Sequence, residues 1–418
     1  MTWWLLACGP ALPEVGEPPG QRAHGSDDST GPEEGPDAGG EEGEAEDGPV
    51  EWTVMVFLNG DNDLERWAIL DMYEMEAAGN SDRVHVLVQF DRSAEYDTSA
   101  GDWVGTRRYR VEADVDPFAI DSPVLEDLGD VDSGEPEAVV DFVEWSVANY
   151  PARRYALVLW DHGDGWTLTH EPAATKGVSY DYTSGNSLSV ARGELAEALD
   201  GAADALDRPI DLFGIDACLM QTWEVAWVMQ PYVRVYVASQ DYEDVTGWQY
   251  QATLADLYAD PEMDAATLGD AIALRFHESV DSTQSVLDLE RLPALSEALD
   301  SFAAAALDAG HAADVLDAAG PAQGFDGEWS RDNDLVDLID NLGVRDVPTS
   351  RAASTVREKA LEVVIANYTL GEGVNRANGL SIFSPPDGAV PDLYREAAWA
   401  AETLWDDLVV EGARDAAR

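Results

Sequence analysis

Short apolar, β-prone runs alternate along the chain with segments whose apolar residues recur at helical spacing. Runs with few polar interruptions are typical of strands buried on both faces of a parallel sheet. The runs are Trp52–Leu58, Val84–Phe90, Tyr155–Trp160, Ile210–Ile215, Val233–Ala238 and Ser285–Leu289. The helical segments between them include Leu64–Ala78, Glu135–Asn149 and Leu188–Leu206. The alternation predicts an α/β fold with a mostly parallel sheet and helices on both of its faces.

The pattern becomes richer in helices after about residue 290. Helical spacing marks Pro293–Leu307, Asp332–Leu342, Thr355–Ala366 and Leu393–Val410. One further strand is predicted at Gly379–Phe383, where two prolines stop it. The sequence therefore predicts a first domain over 51–290 and a helix-rich C-terminal subdomain over 291–418 with one further strand.

The first fifty residues differ from the rest in composition. Leu5-Leu6-Ala7-Cys8 resembles a bacterial lipobox, so residues 1–8 are interpreted as a truncated signal with a lipidation site at Cys8. Residues 9–50 are rich in Gly, Pro and acids and are predicted to be a disordered linker. Together they predict an exported protein, either a bacterial cell-envelope lipoprotein or a secreted one. A chance apolar end followed by a plain disordered tail is the alternative.

Charge narrows the possible partners. The 83 acids and 24 bases give a formal net charge of −59. Phosphate contacts need a basic surface, so nucleic acid is excluded as a partner. An anionic membrane surface is equally unfavourable, which leaves membrane contact only through the lipid anchor. The charge fits cationic partners such as metal ions or basic peptide groups.

Candidate chemistry lies at the ends of two predicted strands. One strand runs directly towards His162 and Gly163, and another runs towards Cys218. Ligands of open α/β sheets bind beyond the carboxyl ends of the strands. An imidazole next to a thiol can take its proton and make it a nucleophile. We therefore predict Cys218 as nucleophile and His162 as general base, with the N–H groups of Gly163 and Cys218 as the oxyanion hole.

The residues around this pair leave alternatives open. Leu219–Met229 is predicted to be a buried helix that begins at Cys218 and favours its thiolate. Alternatively, Cys218 is a small buried hydrophobe and His162 a structural hydrogen-bonding residue. Their joint position at two strand ends favours the functional interpretation. The remaining histidines are interpreted as structural or surface residues: His24, His85, His170, His277 and His311.

Three motifs carry a resemblance to the clostripain family of cysteine peptidases, relatives of caspases, legumain and gingipains. They are Trp52–Val56 with Asn59–Glu65, Leu159–Trp166, and Asp216–Met220 with Glu224–Ala226, supported by Gly247-Trp248 and Gly379–Ile382. The resemblance implies a caspase-like sheet with His162 as general base and Cys218 as nucleophile. It also implies an endopeptidase that cleaves after Arg, and after Lys.

A cationic side chain in a pocket needs an acidic partner. Asp216 is two residues before Cys218 and faces the same side of a strand, and the resemblance also assigns this Asp to the specificity pocket. We expect a second acid from the loop after the next strand. Asp244 is the choice from sequence, with Asp241 and Glu243 as rivals. In so acidic a chain, the alternative for any of these loop acids is a solvated charge.

Family members are often cut in the loop that follows the catalytic His. Here that loop contains Lys176, one of two lysines in the chain, and the other is Lys359. The sequence predicts self-processing at Lys176, with an ordinary surface lysine as the alternative.

The cysteine peptidase hypothesis requires no cofactor, and calcium is the only cofactor that the sequence leaves open. The segment Asp61-Asn62-Asp63-Leu64-Glu65 offers the oxygen ligands that calcium prefers. Asp61 or Asp63 is equally well explained as the N-cap of the following helix. The full calcium-loop pattern is absent, so the metal ligands stay unassigned.

Three other functions compete with an Arg-specific peptidase. A relative specific for Asp is disfavoured because Asp216 would repel the substrate. A catalytically idle surface lipoprotein that binds cations or cationic peptides fits the charge and the tether, but not the intact His162 and Cys218 motifs. An amidotransferase is weaker, since its Gly-flanked nucleophile turn is not seen around Cys218.

Overall fold

The computed structural model describes residues 49–116, 118–166, 177–325, 331–386 and 388–416. The predicted lipidation site Cys8 and processing site Lys176 lie outside these residues. The strands within them are β1 (Val50–Gly60), β2 (Val84–Arg92), β3 (Gly105–Arg110), β4 (Val124–Gly129), β5 (Ala152–Trp160), β6 (Val178–Asp181), β7 (Asn186–Leu188), β8 (Ile210–Asp216), β9 (Val233–Ala238), β10 (Thr283–Asp288), β11 (Asp332–Asp334), β12 (Val364–Thr369) and β13 (Ser381–Phe383).

The helices pack on both faces of the main sheet. They are α1 (Glu65–Ala77), α2 (Pro136–Asn149), α3 (Glu194–Leu206), α4 (Trp223–Met229), α5 (Tyr250–Ala259), α6 (Ala265–His277), α7 (Leu292–Ala309), α8 (Ala312–Ala319), α9 (Leu335–Asp340), α10 (Val347–Val363), α11 (Asp392–Glu396) and α12 (Trp405–Ala416). None of the helices in the described residues is long and apolar enough to cross a membrane.

In the part of the chain that the structure describes, nine strands form the main sheet in the order β12-β10-β9-β8-β5-β1-β2-β3-β4. The five central strands, from β9 to β2, pair in parallel. β10 and β12 extend one edge and β3 and β4 the other, all by antiparallel pairing. The carboxyl ends of β1, β5, β8 and β9 therefore meet along one side of the sheet.

The alternation of side chains along β1 shows how the sheet separates two cores. Met55 and Phe57 join the apolar cluster covered by α2, α3, α4, α7, α10 and α12. Val54, Val56 and Leu58 join the cluster covered by α1, α5 and α6. Both faces of a central strand are thus buried, which is why the strand appears in the sequence as a continuous apolar run.

The α/β fold predicted from sequence is confirmed, and all six strands predicted before residue 290 lie in the main sheet. The sequence does not predict β3, β4, β6 or β7, because these strands are short and contain charged or small polar residues. The helix predicted from Leu188 begins only at Glu194. Leu188 belongs to β7, and Gly193 adopts a φ of 88° that interrupts the helical pattern.

The region after residue 290 contains β11, β12 and β13, where the sequence predicts one strand. The predicted helix Thr355–Ala366 ends at Val363, and the chain continues directly as the edge strand β12. Apolar residues of α7, α10 and α12 join the same cluster as those of β1, β5 and β8. This region therefore shares a core with the first part of the chain.

Candidate active site

A buried carboxylate, Asp161, organises the loop that follows β5. One oxygen accepts from the Asn62 amide at 2.7 Å and from the backbone N–H of His162 at 2.6 Å. The other accepts from the Asn59 amide at 3.2 Å and from the N–H of Tyr180. Burial raises the pKa of Asp161 to about 8, while the charge of His162 and the backbone donors act in the opposite direction. The loop that presents His162 is therefore fixed by contacts from two other segments.

The His162 ring contacts a second carboxylate. Its Nε2 lies 2.9 Å from Oδ1 of Asp63, and the ring packs edge-on against Tyr180 with 6.2 Å between centroids. Burial lowers the pKa of His162, but the Asp63 hydrogen bond and the charges of Asp161 and Asp63 outweigh it. The pKa of His162 thus lies above its usual value. The same hydrogen bond lowers the pKa of Asp63.

Cys218 lies in the turn after β8 and is 3% exposed. Leu219 has a φ of 64°, a strained conformation for this residue type that recurs at functional turns. The backbone N–H of Glu243 lies 3.4 Å from Sγ, and the carbonyl oxygen of Glu243 lies 3.8 Å from it. The N–H of Leu219 donates to the carbonyl of Asp241 at 3.1 Å. The loop after β9 therefore packs directly against the candidate nucleophile.

The helix predicted to begin at Cys218 begins instead at Trp223, so this prediction is wrong. Thr222 is the N-cap, and its hydroxyl accepts the N–H of Val225 at 3.3 Å. The turn between Cys218 and Thr222 separates the sulfur from the first helical turn. Because the field of a helix terminus fades within one turn, α4 does not activate Cys218 in the predicted way.

The loops that carry the two predicted catalytic residues are in contact. β5 and β8 pair in parallel, and the N–H of Asp161 donates to the carbonyl of Asp216 at 3.3 Å. A Cβ built on Gly163 would lie 2.5 Å from the carbonyl oxygen of Cys218, so only glycine permits this approach. The structure thus brings His162 and Cys218 to adjacent loops, along with the two predicted oxyanion-hole residues.

Asp216 ends β8 with a buried carboxylate. Its Oδ2 accepts from the N–H of Trp248 at 3.2 Å and from the Tyr250 hydroxyl at 2.9 Å. A Cβ on Gly247, whose φ is 53°, would lie 3.1 Å from both carboxylate oxygens. Burial raises the pKa of Asp216 to about 6, and a hydrogen bond with the Glu243 carboxyl acts against this rise.

Glu243, one of the rivals named from sequence, is the loop acid that interacts with Asp216, whereas Asp244, the choice from sequence, lies on the surface. Glu243 is 4% exposed, and its Oε1 also accepts from the Gln284 amide at 3.3 Å. Burial, together with the charge of Asp216, raises the pKa of Glu243 well above its usual value. Asp244 is exposed, and its carboxylate accepts from the N–H and the hydroxyl of Thr246. Two buried carboxyl groups therefore lie side by side, one two residues before Cys218 and the other on the residue whose backbone contacts its Sγ.

The acidic segment between β1 and α1, which the sequence leaves open as calcium ligands or as a helix cap, makes other contacts. Asp63 contacts His162, and Glu65 forms a buried ion pair with Arg92 at 2.7 Å. α1 begins at Glu65 without a side-chain cap, so neither Asp61 nor Asp63 is its N-cap. Across the described residues, no group of three or more His, Cys, Asp or Glu is arranged to hold a metal ion. The residues of this segment do not fit a calcium site.

Sequence reasoning missed the contact between Asp63 and His162. The available signal was positional: Asp63 closely follows a buried strand, as His162 and Cys218 do. Because the carboxyl ends of parallel strands meet at one edge of a sheet, the three side chains were candidates for one site. Nothing in the local sequence distinguishes Asp63 from its acidic neighbours.

Comparison with known proteins agrees with this geometry. Residues 56–411 match the model of the Clostripain family, Peptidase_C11. Clostripain of Hathewaya histolytica is 24% identical over 397 residues, which cover 80% of this chain and 74% of that protein.

Two solved structures show the same fold. A secreted C11 cysteine protease from Bacteroides thetaiotaomicron, in complex with an irreversible peptide inhibitor, is 21% identical, with a TM-score of 0.65. An inactive zymogen C11 protease from Parabacteroides distasonis is 20% identical, with a TM-score of 0.63. Each comparison covers 85% of this chain and 99% of the solved one. The chain belongs to the clostripain family and is a cysteine endopeptidase.

Proposed function

We propose that this endopeptidase hydrolyses peptide bonds after Arg, and after Lys, with Cys218 as nucleophile and His162 as general base. The observation that carries the proposal is the pair of buried carboxyl groups, Asp216 and Glu243, beside Cys218. A guanidinium is a planar fork of donors suited to paired carboxylate oxygens. An acidic residue before the scissile bond would instead be repelled.

Acylation begins when His162 accepts the proton of Cys218 and the thiolate attacks the carbonyl carbon of the scissile peptide. The carbonyl π electrons move to oxygen, which accepts hydrogen bonds from the N–H groups of Gly163 and Cys218. When this intermediate collapses, the C–N bond breaks and His162 gives its proton to the leaving amine. A thioester then joins Cys218 to the carbonyl of the substrate's Arg.

Deacylation repeats these roles with water. His162 takes a proton from water while the water oxygen attacks the thioester carbon. The C–S bond breaks as the intermediate collapses, and Cys218 regains its proton from His162. The net reaction is hydrolysis of one peptide bond, with Asp216 holding the cationic side chain throughout.

The experiment that tests this function compares otherwise identical fluorogenic peptides ending in Arg, Lys, Asp or Ala, with reductant present. We expect turnover of the Arg and Lys peptides, with kcat/KM for the Arg peptide about 10³-fold above that for the Ala peptide. The Ala peptide offers no cation to the buried Asp216 carboxylate, and leaving a buried charge unpaired costs binding free energy. Equal turnover of Arg and Ala would contradict the pocket. Preference for Asp would favour a caspase-like or legumain-like specificity. No turnover by folded, reduced enzyme would favour an unprocessed zymogen first, and then a catalytically idle lipoprotein that binds cations or cationic peptides.

We also propose that the enzyme cleaves itself after Lys176, in the loop that follows His162. Purified wild type is expected to run as two fragments, because this residue matches the specificity proposed for the enzyme. Lys176→Ala should remain intact under denaturing electrophoresis. Lys359→Ala is the matched control, since it removes the only other lysine and should still yield two fragments. Unchanged processing in Lys176→Ala would rule out cleavage at this position.

Export with a lipid anchor at Cys8 is the remaining part of the proposal. Its support is the lipobox-like sequence and the acidic composition of residues 9–50, together with a relative described as secreted. In a bacterial host, wild type should fractionate with membranes and Cys8→Ser should become soluble. Wild type that is already soluble would contradict the anchor.

A further inference from the structure

A carboxylate from a third strand end contacts the predicted general base. Asp63 lies three residues after β1, and its Oδ1 is 2.9 Å from Nε2 of His162. The neighbouring Asn62 is buried and donates to Asp161 at 2.7 Å and to the carbonyl of Tyr180 at 3.0 Å. The backbone that presents Asp63 is therefore tied to the same carboxylate that fixes the His162 loop.

This contact decides which nitrogen of the neutral ring carries the proton. A carboxylate only accepts hydrogen bonds, so Nε2 carries the hydrogen and Nδ1 keeps its lone pair. We propose that Asp63 is a positioning residue: it holds His162 in the tautomer that offers Nδ1 to the Cys218 proton, and it stabilises the imidazolium that forms. The inference rests on the roles proposed above for His162 and Cys218.

The titratable groups that face the ring come from three segments. Asp63 belongs to the β1–α1 connection, Asp161 and Asp164 to the loop of His162 itself, and Tyr180 to β6. The three acids raise the pKa of His162 and burial lowers it. The pKa of Tyr180 lies well above its usual range because of burial, so its hydroxyl stays neutral. Asp63 hydrogen-bonds the ring, and its side chain is 51% exposed, so it can be changed without removing a buried carboxylate.

A second side chain orients Asp63. The Tyr182 hydroxyl hydrogen-bonds to Asp63 and lies directly after β6, so it belongs to a different segment from His162. Tyr182→Phe removes this hydrogen bond while leaving the charge of Asp63 and its contact with His162 in place. It provides a graded test, because its effect on turnover should have the same direction as that of Asp63→Asn and be smaller.

Asp63→Asn is expected to lower kcat for the Arg peptide about ten- to hundredfold and to change KM less than about twofold. The loss is smaller than for a fully buried carboxylate in a catalytic triad, because a half-exposed charge is screened. Since the carboxylate raises the pKa of His162, its removal should move the acid limb of the kcat/KM profile to lower pH. Asp63→Glu should restore part of the activity. If Asp63 had only a structural role, its substitution would lower the fraction of active enzyme without moving the acid limb of the kcat/KM profile.

Glu95→Gln is the matched control, because it removes an exposed acid near Tyr96 that does not touch His162. Its kcat and acid limb should match wild type. NMR titration of the His162 ring in the Cys218→Ala background, with and without Asp63→Asn, measures the effect of Asp63 on the pKa of the ring. This measurement does not depend on peptide hydrolysis. An unchanged ring titration and an unchanged pH profile would overturn the inference. Absence of peptide hydrolysis in wild type would count against the proposed function instead, while the titration would still decide the role of Asp63.

Discussion

Under reducing conditions, Cys218→Ala should lower turnover of the Arg peptide by about 10⁵-fold or more, with little change in thermal stability. Removal of a nucleophile costs nearly the whole chemical contribution of the catalytic group, as in serine peptidases. The side chain is small and 3% exposed, so the cavity left by replacing sulfur with hydrogen is minor. Steady-state hydrolysis with reductant, together with a melting curve, measures both effects.

The chain supplies a control for this substitution. Cys8 is its other cysteine, and Cys8→Ser should keep full turnover under reducing conditions. A thiol-directed reagent that inactivates wild type should also inactivate Cys8→Ser. Residual activity of Cys218→Ala within about tenfold of wild type would remove Cys218 from the mechanism.

The central strands were predictable because burial on both faces leaves a simple trace in the sequence. β1, β5 and β8 are apolar runs with few polar interruptions, and polar residues end or directly follow each of them at the same edge of the sheet. The same combination singled out His162 and Cys218 as candidates. Edge strands such as β4 bury at most one face, and their polar residues make them resemble loops.

Details of the site depend on contacts that the sequence does not encode locally. With 83 acids in the chain, nothing near Asp63 or Glu243 marks them as partners of His162 and Asp216. The apolar spacing from Leu219 onward predicts a helix, but Leu219 has a positive φ and the helix begins only at Trp223. Tertiary contacts between strand ends decide these points, whereas the periodicity of a single segment does not.

The site concentrates negative charge where a cationic substrate would bind. Asp216 interacts with Glu243 and also with the charges of Asp71 and Glu74 on α1. Burial raises the carboxyl pKa of Asp71, Asp216 and Glu243, which disfavours their ionised forms. An incoming guanidinium stabilises the ionised forms, so substrate binding and proton release are coupled at this end of the site.

Asp216→Asn should reduce kcat/KM for the Arg peptide by about 10³-fold and leave the slow turnover of the Ala peptide nearly unchanged. Removing one partner of a buried charge pair costs about 3–5 kcal/mol, because the other charge is left uncompensated. Asparagine keeps the shape of Asp216, and its carbonyl oxygen can still accept from Trp248 and Tyr250. A similar loss on the Arg and Ala peptides would indicate damage to folding instead of specificity.

The pH dependence of KM distinguishes the proposed specificity pocket from the proposed catalytic pair. The pKa of Asp216 is raised to about 6, so its charge is present above that pH and is lost as the pH falls through it. KM for the Arg peptide should therefore rise below about pH 6 in wild type, and this rise should disappear in Asp216→Asn.

Glu243→Gln should lower kcat/KM for the Arg peptide more than for the Lys peptide, because a guanidinium can engage both carboxyl groups and an ammonium is a point charge. The exposed Asp244 supplies the matched control, since Asp244→Asn should stay within about twofold of wild type. A larger loss in Asp244→Asn than in Glu243→Gln would return the second pocket acid to the residue chosen from sequence.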